Sequence, residues 1–342
     1  MNLKNLNVKT KIYKLLIKKL KNKKINLIYK KFEKSLNINE NFAVAVSGGP
    51  DSLALAYLSK IYSIKKGLVA KFFTVDHKLR AESTFEANTV RKILKKNFIS
   101  SKILTWNGKK PSKITQSIAR NKRFELLFTE CDKFKIENIL LGHHLDDLFE
   151  NFFIRLLRGS GLKGLISLDK KTTTKKKNLL RPLLDIRKKE LIYLTNQVFN
   201  FYVKDPTNED QNHKRIKIRR LISELQKDGL DKKKFLKTIH NLKHSNTLIN
   251  FYVKKNIDKN AFYNIKTNKL ILNKDFFQQP YEVIFRSLTE SITLIGGKYY
   301  PARGKKIDKI MKDIVDNHDT RVTLGGCIIE KVNQTVILSK EY

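Results

Sequence analysis

The apolar run Phe42-Ala43-Val44-Ala45-Val46 passes without a spacer into Ser47-Gly48-Gly49-Pro50-Asp51-Ser52, and a helical pattern follows to about residue 61. A buried strand, a glycine-rich turn and a helix in direct succession leave few folds open. Paired glycines let the backbone approach a ligand closely and adopt positive φ. Proline suits the first helical turn, and the free N–H groups of a helix start, with its dipole, form an anion site. Ser47 and Ser52 add hydroxyl donors, so Ser47, Gly48, Gly49, Pro50, Asp51 and Ser52 are read together as a phosphate cradle. A carboxylate at Asp51 sits badly beside a bare phosphate unless a cation is shared, which predicts Mg2+ with Asp51 as its ligand. The spacing is neither GxxxxGK[ST] nor GxGxxG, which excludes a Walker loop and a dinucleotide loop. The plainer reading of the same string is a Gly-Pro turn before a capped helix.

The alternation continues. Short apolar runs at 70–75, 102–106, 138–141 and 179–184 are separated by helical patterns at 82–96, 115–134 and 145–158. Strands spaced by helices imply βαβ crossovers and a parallel sheet covered on both faces. Ligands in such sheets lie at the carboxyl ends of the strands, so chemistry is expected directly after Val46, Val75, Trp106 and Leu141. Trp106 itself reads as a base-stacking ring or as a core side chain. Residues 170–177, KKTTTKKK, lack any apolar side chain and read as an exposed loop. At 342 residues the chain is long enough for two domains. The expected division is a basic N-terminal extension at 1–37, an α/β parallel-sheet nucleotide-binding domain at 38–225, and a smaller helical, α+β region at 226–342. The last carries a strand at 270–272 and a hairpin around 332–334.

Lysine and arginine number 71 against 32 acidic residues, a formal charge of +39. That excess points to a polyanionic partner, nucleic acid first, or to a lysine-rich compositional bias with no partner behind it. Lys214, Arg215, Lys217, Arg219 and Arg220 form the densest cluster and are expected to line an RNA groove. Arg120 and Arg123, three apart on one helix, offer a donor fork for phosphate or carboxylate, or a plain basic surface. Arg155 and Arg158 lead into a glycine-rich stretch that suits a phosphate, or a helix cap at Gly159. Cys131 and Cys327 are too far apart in sequence for a disulfide framework or a CxxC site, which fits a reducing, cytoplasmic setting. Lysines break every apolar run in residues 1–24, so neither an export signal nor a membrane span is expected there.

After the strand at 138–141 comes Gly142-His143-His144-Leu145-Asp146-Asp147-Leu148-Phe149-Glu150-Asn151. His143, Asp147 and Glu150 are spaced i, i+4, i+7, one face of a helix. Such a face can hold a cationic amine, with the histidine or a carboxylate taking its proton. It is also what a solvated acidic helix start looks like. The spacing is not that of an HExxH zinc site.

SGGPDS, Asp76-His77-Lys78-Leu79-Arg80, Ala119-Arg120-Asn121-Lys122-Arg123-Phe124, GHHLDDLFEN, the 155–165 stretch RLLRGSGLKGL and Arg181-Pro182-Leu183-Leu184 occur in this order. The ordered set, extended by Asp205-Pro206-Thr207-Asn208 with Arg215 and Arg219, resembles the tRNA(Ile)-lysidine synthetase family of pyrophosphate-loop ATPases. Tyr300-Pro301-Ala302-Arg303-Gly304 and Thr323–Cys327 resemble its C-terminal region more loosely. The resemblance implies a ligase that uses ATP to adenylate C2–O of the wobble cytidine in a CAU-anticodon tRNA(Ile). L-lysine then displaces AMP to give lysidine, which changes decoding from AUG to AUA. It also implies that Arg123, His143, Asp147 and Glu150 surround the amino acid and the reacting centre, and that Arg215 contacts the nucleotide or base. The C-terminal region would serve tRNA binding, and the resemblance leaves room for a homodimer. Thr207 stands where serine is commoner, and Ile216 replaces an asparagine usual after the arginine. The alternatives are an RNA thiolase fed by an external sulfur carrier, which the lack of a cysteine pair disfavours, and a non-catalytic RNA-binding protein, which the intact loop disfavours.

Overall fold

The computed structural model describes residues 13–108, 111, 115–174, 176–203, 214–298, 302, 304–316 and 320–341. Asp205–Asn208, residues 1–12, Tyr300, Pro301 and Arg303 lie outside them. The chain divides into two compact units, Met1–Leu230 and Asp231–Tyr342.

In the first unit, helical residues 13–18, with Leu16 buried in the core, precede helix α1 (Lys23–Ser35), capped by the Asn22 side chain, which accepts from the N–H groups of Lys24 and Ile25. Among its lysines, Ile25, Ile28, Tyr29 and Phe32 fall at i, i+3, i+4 and i+7 and are all buried. They join Phe42, Val44, Leu55, Leu58 and Tyr62 in one core. The part of the 1–37 extension from Lys23 onward is therefore packed into the α/β unit.

Next come β1 (Phe42–Ala45), α2 (Pro50–Lys66), β2 (Ala70–Asp76), α3 (Ser83–Lys96), β3 (Ser101–Thr105), α4 (Gln116–Lys133), β4 (Asn138–Leu140) and α5 (Leu145–Leu156). The short α6 (Leu162–Leu165), β5 (Lys171–Thr174), β6 (Lys177–Leu180), α7 (Lys188–Phe199) and α8 (Lys214–Lys227) complete the unit. The six-stranded sheet runs β3-β2-β1-β4-β6-β5, parallel except for the β5–β6 hairpin at one edge. Strand order reverses between β1 and β4, and that reversal opens the crevice where such sheets bind ligands.

KKTTTKKK is thus strand and hairpin where a loop was expected. β-branched threonines suit the exposed edge strand. Lys177 is buried because its Nζ donates to Ile136 O at 2.8 Å and pairs with Asp132 at 2.5 Å. Gly159, at φ +64°, ends the turn after α5 in the capping role that its sequence allowed.

The second unit holds the long α9 (Lys232–Asn260), β7 (Ala261–Asn264), β8 (Lys269–Leu272), α10 (Tyr281–Gly296), α11 (Gly304–Val315), β9 (Arg321–Leu324), β10 (Cys327–Val332) and β11 (Thr335–Lys340). Its antiparallel sheet runs β7-β8-β11-β10-β9 over a core that includes Leu288, Ile307, Ile329 and Leu338. The expected hairpin is β10–β11, and β7 is a strand that its polar surroundings concealed. Among the described residues, no helix is long and apolar enough to cross a membrane.

Candidate active site

The loop after β1 is built around Ser52. Its Oγ accepts from the N–H groups of Ser47 and Gly48, each at 3.1 Å, and donates to Gly49 O at 3.0 Å. Gly49 is the N-cap of α2 and Pro50 its first residue. Thr195 of α7 donates its hydroxyl to Pro50 O at 2.7 Å and steadies the helix start from behind. Gly48 stands at φ +91°, and a Cβ there would meet Val90 Cγ2 of α3 at 2.6 Å and Val203 Cγ2 at 3.1 Å. The same loop is tied by Val203 N–H to Gly48 O at 3.0 Å. Gly142 permits a second close approach: its Cβ would lie 3.3 Å from the Ser52 backbone nitrogen.

A cavity of about 470 Å³ opens over this loop at the carboxyl ends of β1, β2 and β4. Ser47, Gly49, Asp51 and Ser52 line one side, while Arg120, Arg123, His143, Asp147 and Arg215 reach it from the others. Gly48 and Pro50 shape the loop from outside the lining. Asp76 at the end of β2 accepts from Ser83 Oγ (2.8 Å), Thr84 Oγ1 (2.7 Å) and Lys78 N–H (2.9 Å). Burial works against its charge, but these bonds outweigh it and hold the carboxyl below its ordinary range. Arg123 Nε donates to His77 Nε2 at 3.4 Å, and Trp106 stands edge-on to His77 as a buried ring, joining α4 to the ends of β2 and β3.

His143 is not on the acidic helix face that its spacing suggested. α5 starts at Leu145 with His144 as its N-cap, so His143 belongs to the connection from β4. Burial first, then the nearby Arg181, Arg120 and Arg215, push its imidazole down to about 4 against the pull of Asp147, so it is neutral at physiological pH. Its Nδ1 is buried and has no hydrogen-bond partner. Burial and Arg120 also lower Arg123, and burial and Arg120 take Arg181 down to about 10. Arg120 and Arg123, two guanidiniums that repel each other, thus line the cavity, a setting that favours an anionic ligand.

Asp147 closes the capping box of α5: its Oδ2 accepts from His144 N–H at 3.0 Å. Glu150 does not line the cavity. It is buried, and its carboxylate accepts from Arg219 of α8, Nε to Oε1 at 2.6 Å. Lys217 and Arg220 of the basic cluster are exposed, Arg219 turns to Glu150, and Arg215 faces the cavity.

Residues 18–225 match the PP-loop domain family. Among curated proteins, the tRNA(Ile)-lysidine synthase of Orientia tsutsugamushi (strain Boryong) is 31% identical over 316 residues, covering 89% of this chain and 70% of that protein. The enzyme of the same name from Wolbachia sp. subsp. Brugia malayi (strain TRS) is 30% identical over 313 residues, with 89% and 71% coverage. The chain belongs to the tRNA(Ile)-lysidine synthase family. Among solved structures, the U34-tRNA thiolase NcsA from Methanococcus maripaludis has a TM-score of 0.56 at 21% identity, covering 65% of this chain and 79% of that one, which is a likeness of fold.

Within this lysidine synthase family chain, His144 is a buried residue beside the cavity lining that the sequence pattern did not single out. It is 2% exposed, and its Nε2 lies 3.6 Å from both Asp51 Oδ2 and Asp147 Oδ2. Burial opposes its charge, yet Asp51, Asp147 and Asp146 raise its pKa. The available signal was the capping-box spacing His144-x-x-Asp147, which marks the second histidine of the pair as the N-cap of the helix.

Proposed function

We propose that this chain ligates L-lysine to C2 of the wobble cytidine in a CAU-anticodon tRNA(Ile), converting ATP to AMP and pyrophosphate. The observation that carries the reading is that one cavity joins the Ser47–Ser52 loop to Asp147, His143 and Arg215. An adenylating loop and a counter-charge for an amine are thereby within reach of one base.

In the reaction, the C2 oxygen attacks the α-phosphorus and pyrophosphate departs. The lysine ε-amine then attacks C2, and the C–O bond breaks with its electron pair leaving on AMP. The loop N–H groups, the α2 dipole and the guanidiniums of Arg120 and Arg123 supply positive potential where phosphate charge develops. Asp147 holds the incoming ammonium at the cavity wall. The ε-ammonium must lose a proton before it attacks C2, and Asp147 or neutral His143, both at the cavity, takes it.

Magnesium fits the donors at this loop. Asp51 Oδ1 is buried without a hydrogen-bond partner, and one carboxylate with phosphate oxygens and waters is an ordinary Mg2+ donor set. Asp51 would hold the ion, whose charge would offset that of the triphosphate. Among the described residues, no group of three or more His, Cys, Asp or Glu is placed to hold a metal ion. We assign 231–342 to tRNA binding on the chain's excess of basic residues, and the reaction to the cytoplasm, where tRNA is the substrate.

The test uses purified protein, labelled lysine, ATP and CAU-anticodon tRNA, scored for acid-precipitable label and released AMP. Equal amounts of both are expected. Label without AMP, or AMP independent of lysine and tRNA, contradicts the proposal.

A further inference from the structure

Helix α8 reaches the cavity near its start. Arg215 lines the cavity, while Arg219, four residues later and on the same face of the helix, turns to Glu150 of α5. Arg219 Nε lies 2.6 Å from Glu150 Oε1 and Nη2 lies 3.5 Å from Oε2. A two-point fork of this kind fixes orientation as well as distance. The Glu150 side chain is only 5% exposed, so its carboxylate favours the arrangement in which a cation meets it. Ile218 and Ile222 of α8 are buried too, but apolar packing is non-directional and leaves the rotation of the helix less defined.

We propose that Arg219 is a positioning residue for the reaction: clamped on Glu150, it fixes the turn of α8 that presents Arg215 to the cavity. Glu150 then acts through Arg219 rather than on the incoming amine. This rests on the proposed reaction, in which Arg215 works at the reacting nucleotide. Arg219 faces a buried carboxylate, whereas Lys217 and Arg220 face solvent, which sets it apart from the residues suited to gripping phosphates.

The experiment compares R219A, R219K, E150Q, R215A and R215A/R219A in single-turnover rate, KM for lysine and ATP, tRNA affinity and amide exchange across 215–222. A misplacement of about 1 Å in a catalytic array costs on the order of 100-fold. R219A and E150Q should each slow the single-turnover step by about 10- to 100-fold, with lysine KM and tRNA affinity within about twofold of wild type. R219K keeps the charge without the fork and should recover part of the rate. R215A/R219A should be no slower than R215A alone, a result that a merely structural role would not give. E150Q leaves no buried carboxylate unpaired, and the Arg219 guanidinium it releases is 35% exposed, so this variant reports on positioning even where R219A is unstable.

An additive loss in the double variant overturns the proposal. So does a rise in lysine KM as the main effect of E150Q, which would make Glu150 the counter-charge of the amine. A loss confined to tRNA affinity in R219A overturns it as well, because Arg219 would then be a phosphate clamp. Wild-type protein that forms no lysine-dependent product refutes the proposed function instead. In that case amide exchange alone decides: faster exchange at 215–219 in E150Q upholds the clamp, and unchanged exchange rejects it.

Discussion

Gly48→Ala is the sharpest test of why the phosphate loop has the sequence it does. The backbone at Gly48 has φ +91°, and the added methyl would lie 2.6 Å from Val90 Cγ2 and 3.1 Å from Val203 Cγ2. Left-handed backbone costs an L-residue roughly 1–2 kcal/mol. The contact adds an overpacking penalty of about 1–3 kcal/mol, because Val90 is 1% exposed and has few rotamers to retreat into. The sum is about 2–5 kcal/mol, measurable as a lower denaturant midpoint for the first unit. Val90→Ala separates the two contributions. It removes the clashing methyl, so in the Gly48→Ala background it should return the overpacking share and leave the backbone share. The double-mutant cycle should therefore show a coupling of about 1 kcal/mol or more. Additive losses would refute the argument, since Gly48 would then be required by its φ alone and not by the approach of α3.

Four further variants test the site and the basic helix beside it. Asp147→Asn retains an oxygen that can accept from His144 N–H, so α5 should still start correctly. The lost counter-charge should raise lysine KM by an amount on the order of 2–5 kcal/mol while ATP KM moves little, and equal damage to both substrates would point to a structural role. His143 has its pKa lowered from 6.5 to about 4, so between those values the unfolded chain binds more protons and stability falls as pH falls. The contribution is complete above about pH 6.5 and largely gone by about pH 4, up to about 3 kcal/mol in all. His143→Gln should flatten that limb of the stability profile, and an unchanged limb would contradict the assignment. Lys217→Ala should weaken all tRNAs alike and reduce the salt slope by about 0.7–0.9, whereas Arg215→Ala should cost turnover more than affinity. An Arg215 variant with intact single-turnover rate would make that residue a phosphate clamp.

What was legible in the sequence is what the chain decides locally. The strand, the loop and the helix at 42–66 are continuous, and β2 and β4 deliver their loops to the same edge because parallel strands share a direction. His143 and Asp147, directly after β4, therefore meet the phosphate loop at the cavity on the βαβ pattern alone, whereas Arg123 of α4 and Arg215 of α8 were expected there only from the family resemblance. Three features were obscured. α1 hides its apolar face, Ile25, Ile28, Tyr29 and Phe32, among lysines whose long stems tolerate a half-buried helix. Lys177 looks like solvated charge until the fold brings it to Asp132 and Ile136. Glu150 shares a helical spacing with Asp147, yet its partner is Arg219, 69 residues away. Spacing says which side chains can lie on one face, and only the tertiary contact says which of them is already engaged.

The most direct measurement is nucleoside mass spectrometry of CAU-anticodon tRNA(Ile) digested after incubation with the protein, ATP and isotopically labelled lysine. The expected product is a wobble cytidine heavier by one lysine less one water, carrying the label, absent without ATP and absent from a tRNA(Met) control. Unmodified cytidine, or a nucleoside that has gained sulfur or the adenylate alone, would contradict lysine ligation as the activity of this chain.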